Sequence, residues 1–163
     1  MIKPRYMLCC EGQVVDRETG MVTHFNVVDQ LTVTLLKAGG RAPFNLPRLF
    51  ISATWTRDSQ AEDPDEAFEH EMRMFVPGED VPRVLHTGEF RFGRFRHFRS
   101  DVVLQTQPMG NLPNGIPANA ISFKPGVLRF ESRVHRKGDA TWLSQECDIS
   151  ILFAADESLP ASS

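Results

Sequence analysis

The chain has 163 residues, 41% of them hydrophobic and 24% charged, with twelve Phe and a formal net charge of −3. This composition excludes the low-hydrophobicity, high-charge signature of disordered chains, and a domain of this length buries roughly 70% of its unfolded surface without metals or disulfides. A negative overall charge also excludes polyanion binding by the whole-molecule field, leaving only a local patch.

Taken in order, Met1 to Arg5 carry two cations, and the apolar run that follows soon meets Glu11, so no signal-peptide core forms. No run of 18 apolar residues occurs anywhere, and the expectation is a cytoplasmic protein with no membrane partner. Tyr6 to Val15 reads as the first strand, and Asp16 to Gly20 as a turn. Met21 to Leu36 is a second β-rich run broken near Asn26 to Gln30, and Gly39 to Pro43 is a loop. Within the first strand, Cys9 and Cys10 point to opposite faces, so at most one of them easily meets Cys147. Three cysteines without a CxxC motif fit a reducing compartment and buried free thiols.

From Leu49 to Thr56, Leu49, Ile51, Ala53 and Trp55 share one parity and Ser52, Thr54 and Thr56 the other, which predicts a strand with a core face and a solvent face. Phe68, His70, Met72, Met74 and Val76 repeat the pattern against Glu69, Glu71 and Arg73, before a turn at Pro77-Gly78; the Met and Glu content leaves a helix from Asp65 as the rival reading. Val84 to Phe92 and Phe95 to Gln105 are expected to form a β pair with a bulge or bend at Gly93. Pro108 to Gly126 is a long loop, and Val127 to His135 with Ala140 to Ala154 predicts a hairpin.

About eight strands at this spacing predict an all-β fold: a single-domain antiparallel β-sandwich, immunoglobulin-like or C2-like, over 1–157 and a disordered tail at 158–163. A β-barrel is the alternative architecture.

No catalytic motif is present. There is no GxSxG elbow and no glycine-rich phosphate loop. His70-Glu71 begins like HExxH, but Met74 stands where the second His must lie. His24, His70, His86, His97 and His135 are scattered, so no metal ligand set, cofactor site or catalytic residue is assigned. The carboxylates Asp58, Glu62, Asp63, Asp65, Glu66, Glu69 and Glu71 lack the EF-hand pattern and read as a solvated loop running into a strand's exposed face. Trp55 and Trp142 read as core or interface aromatics.

The most unusual segment is Phe90 to Arg99, in which Phe and Arg interleave. One reading puts Phe into the core, with Arg covering the surface and pairing with the carboxylates at 62 to 71. The other uses Arg91, Arg94, Arg96 and Arg99 for phosphates and Phe95 and Phe98 for stacking, as an anion or single-stranded nucleic-acid site.

GQVVDRETG at 12–20, FNVVDQLTV at 25–33, LPRLFISATW at 46–55 and the PGVLRF entry to the closing hairpin resemble an uncharacterised bacterial family catalogued as a domain of unknown function. The resemblance covers about half the chain, and Leu128 replaces the family's usual aromatic. It implies a β-sandwich and supplies no functional residues.

The function expected first is a non-enzymatic protein-binding or accessory module that docks another protein, or a second copy of itself, at a loop or sheet edge. Anion or single-stranded nucleic-acid binding through Phe90 to Arg99 is the alternative. An enzyme or ligand pocket between the sheets, using His70 or His97 with a carboxylate, is the third.

Overall fold

The computed structural model describes residues 1–16, 21–35, 49–58, 63, 65–104 and 125–155, with backbone alone for 33–35 and 153–155. The expected loops around 39–43 and 108–124 and the tail at 158–163 lie outside the described residues. The described residues form nine strands: β1 (Ile2–Val15), β2 (Val22–Val27), β3 (Gln30–Leu35), β4 (Leu49–Arg57), β5 (Ala67–Phe75), β6 (Arg83–Arg91), β7 (His97–Leu104), β8 (Gly126–Arg136) and β9 (Leu143–Ala155). They contain no helix, so the alternation at 68–76 resolves as strand β5.

Two sheets are packed face to face, with order β2-β1-β4-β7 in the first and β3-β9-β8-β5-β6 in the second, and they do not close into a barrel. The β-sandwich read from the alternation is therefore correct, with one departure: β3 runs parallel to β9, from Gln30 opposite Ser150 to Leu35 opposite Ala155. The break near Asn26 to Gln30 explains this. There the chain leaves the first sheet and enters the second, so β2 and β3 belong to different layers. Every other described pairing is antiparallel.

The core lies between the layers, where the apolar parities meet. Cys9, Leu49, Ile51 and Ala53 face Met72, Met74, Leu128, Phe130, Ile149 and Ile151, and Cys147 packs on the same cluster. Cys9 is thus the cysteine that faces Cys147, while Cys10 points out of the sandwich; all three are free thiols. A second cluster holds Ile2, Trp55, Phe68, Phe92 and Val134. At full burial each large side chain contributes about 1.5–3 kcal/mol.

The second departure concerns β6 and β7. They do not pair with one another, because β6 pairs with β5 and β7 with β4. Gly93 (φ 54°) lies in the corner where the chain passes from one sheet to the other, closed by Phe95 N–H to Phe92 O at 2.9 Å. Phe90, Phe92 and Phe98 share one parity, and the corner sets Phe90 and Phe98 on facing layers, where their rings stack at 3.5 Å while Phe92 meets Phe90 edge-on at 5.4 Å.

The third departure is at the outer face of β4. Ser52 and Thr54 have the parity expected to face solvent, yet they are 0% and 4% exposed. Tyr6 pairs with Thr54, and Gln13 with His24 of β2. A straight strand would hold Tyr6 and Gln13 roughly 23 Å apart, whereas the rings of Tyr6 and His24 meet edge-on at 5.8 Å. β1 therefore bends beyond Cys10, and the ribbon made by its last residues and β2 folds back over the outer face of the first sheet. At the bend Asn26 takes a left-handed conformation (φ 52°), and its side-chain amide donates to Glu11 at 3.0 Å.

Candidate functional site

The corner between β6 and β7 carries the arginine and phenylalanine residues singled out above, and the structure divides them. Phe98 is half-buried in the aromatic cluster and unavailable as a stacking platform, as are Phe90 and Phe92. Phe95 is 69% exposed at the tip of the corner. Arg99 pairs with Asp101 at 2.8 Å and Arg91 with Glu89 at 3.9 Å. The carboxylates at 66–71 pair elsewhere, contrary to the expectation that the arginines of this segment would take them. Glu66 pairs with Arg136, Glu69 with His135, and Glu71 with Arg133 and Arg73. The reason is topological: β8, not β7, is the neighbour of β5 on that face.

Arg94 and Arg96 are exposed, and neither forms an ion pair among the described residues. Two further cations join them from distant parts of the chain. Pro4 lacks the N–H that a strand ladder needs, and the β1–β4 register shifts between Pro4 and Tyr6. Arg5 sits in that bulge, with Nη1 3.2 Å from His97 Nε2. Arg57, at the end of β4, donates to Gly93 O and lies 5.6 Å over the Phe92 ring. Burial, then the nearby charges of Arg5 and Arg96, hold the His97 imidazole below its usual range, which favours its neutral form. The carboxylate at this end, Asp58, pairs with Lys3 at 2.9 Å, which holds its carboxyl below the usual carboxylate range, with a smaller contribution from the charge of Arg96. Arg5, Arg57, Arg94 and Arg96 thus gather at the end of the sandwich that carries the corner, none of them in an ion pair with a described carboxylate, although Arg96 is near enough to Asp58 to act on it.

The other candidates are accounted for. His70 is a core histidine, 2% exposed, with Nε2 3.1 Å from Ser132 Oγ and its ring against Phe98 and His86. Trp55 is buried and donates to the same Ser132 hydroxyl at 3.0 Å. Trp142 stacks on His135 at 3.8 Å, with the Arg133 guanidinium 4.2 Å from its ring centre. It lines a shallow cleft of about 320 Å³ with Glu69, Glu71 and Glu89. Those carboxylates are each already engaged, by His135, Arg133 and Lys137. Among the described residues, no three His, Cys, Asp or Glu side chains converge to hold a metal ion. No helix among them is long and apolar enough to cross a membrane.

Sequence reasoning found Arg94, Arg96 and Phe95 but missed Arg5 and Arg57. The available signal was Pro4, whose place inside a strand implies a bulge that re-aims the following side chain. No protein-family model matches the chain, and no curated protein matches it.

Proposed function

We propose that the protein is a non-enzymatic binding module of the cytoplasm that docks an acidic segment of another protein on the end formed by Arg5, Arg57, Arg94, Arg96 and Phe95. The observation that carries this reading is the gathering of four guanidinium groups, none in an ion pair with a described carboxylate, in a molecule whose net charge is −3. Such a local excess steers an anionic partner while the rest of the surface repels other polyanions. Guanidinium groups suit carboxylates because they donate in a planar fork, and Phe95 supplies an apolar contact beside them. Among the described residues strand β6 pairs only with β5 and runs into this corner, which suits addition of an extended segment at that edge.

Single-stranded nucleic acid is the second reading, and the burial of Phe90, Phe92 and Phe98 weighs against it. Sequence-tolerant binding of bases uses a row of exposed rings, and Phe95 alone does not make one.

The test is fluorescence anisotropy with a labelled oligo-glutamate peptide and, separately, an oligo-thymidine strand, at low and high salt. The acidic peptide binds at low salt, weakens as salt rises, and weakens about tenfold or more in Arg94→Ala plus Arg96→Ala. Absence of peptide binding, or binding that the double substitution leaves unchanged, removes the proposal. Binding of the oligo-thymidine alone promotes the second reading.

A further inference from the structure

Between the folded-back ribbon and the first sheet lie five buried side-chain atoms without a hydrogen-bond partner among the described residues: Gln13 Oε1, His24 Nε2, Ser52 Oγ, Thr54 Oγ1 and Asp101 Oδ1. The pairing registers bring them together. Ser52 stands opposite Asp101, Thr54 opposite Tyr6 and Arg99, and Gln13 opposite His24, whose ring rests on Tyr6. His24 is also close enough to feel the charges of Asp101 and Arg99.

The ribbon is amphipathic in the unfavourable sense. Its inward side carries Gln13 and His24, while Val14, Phe25 and Val27 on its other side are 56%, 48% and 64% exposed. An interface that buries unpaired polar atoms and leaves apolar ones in water is weakly held, since each buried orphan costs more than a made hydrogen bond returns. The base of the ribbon is fixed more firmly: Val28 N–H donates to Cys9 O at 2.9 Å, and Ser150 N–H to Asp29 O at 2.8 Å.

Under this ribbon sits Cys10, 0% exposed, its thiol against the backbone of Gly12 and Phe25. We propose that the ribbon is a lid that lifts from the first sheet while the sandwich stays folded, and that Cys10 is the thiol it guards, a modification site for small thiol-reactive electrophiles. With the lid closed, burial raises the Cys10 thiol above its ordinary value and keeps it inert. Lifting it at the Asn26 bend gives water to the five polar atoms and returns Cys10 to solvent. Cys9 lies buried between the sheets and Cys147 half-buried against the same cluster; burial pushes both thiols up to about 12, and lifting the lid changes the cover of neither.

The experiment uses the full chain under native conditions, with N-ethylmaleimide as the probe and fragment-level mass spectrometry to separate Cys10 from Cys9. Cys10 is labelled at least about tenfold faster than the equally buried Cys9, because local opening is more frequent than global unfolding. Ser52→Ala and Thr54→Val each slow Cys10 labelling severalfold, because closure no longer strands their hydroxyls. Equal rates at Cys9 and Cys10 of the unmodified sequence overturn the proposal, as does a Cys10 rate that both substitutions leave unchanged.

Discussion

His70 shows how one residue couples the core to pH. Burial holds its imidazole down to about 4, from an ordinary value near 6.5, and the neighbouring His86 adds to the effect. The neutral ring is therefore the folded form, and the unfolded chain takes up the proton first. Stability from this residue is complete above pH 6.5 and is lost as pH falls from there towards 4, by about 3 kcal/mol in all. Urea denaturation of the unmodified chain and of His70→Gln across that range checks this: the variant shows a flatter pH dependence. Strict alternation made the inward position of His70 legible in the sequence. Its partner Ser132 was not, because a hydroxyl 62 residues away leaves no local trace.

At the scale of single elements, turns and strand entries are where the backbone is most constrained. Gly126 opens β8 with φ +146°, and a Cβ placed there would lie 3.1 Å from Pro77 Cβ, a close approach to a rigid ring. Gly126→Ala is expected to lower stability by about 1–3 kcal/mol, seen as a lower urea midpoint with an unchanged slope. The strands themselves were readable, because β4, β5 and β9 alternate against a single core. The corner at Gly93 was not: a change of parity has the same signature for a bulge within one sheet and for a crossing between two. The buried outer face of β4 was equally hidden. Ser52 and Thr54 are residues that suit a solvated face, and only the bend in β1 brings a cover over them.

For the whole molecule, the two layers are joined by apolar packing and by a few polar links across it. Trp55 of the first sheet donates to Ser132 of the second, and Gln145 Nε2 donates to Thr54 O at 3.1 Å. Trp55→Phe keeps most of the buried ring but leaves Ser132 short of a donor, and is expected to cost about 1–3 kcal/mol in equilibrium unfolding. The layered all-β architecture follows from composition and alternation. The basic end does not, because two of its four arginines, Arg5 and Arg57, arrive from strands far from the Phe90–Arg99 segment in sequence.

The parallel pairing of β3 with β9 has a consequence in time. Leu31 finds its partner at Ile151, about 120 positions later, after every other described strand has been made. On the ribosome β3 therefore emerges as an unclaimed edge, and it stays open until the last strand is released. β8 waits for the same strand, so both pairings of β9 form late, and until then β3 offers an open edge for association with neighbouring chains.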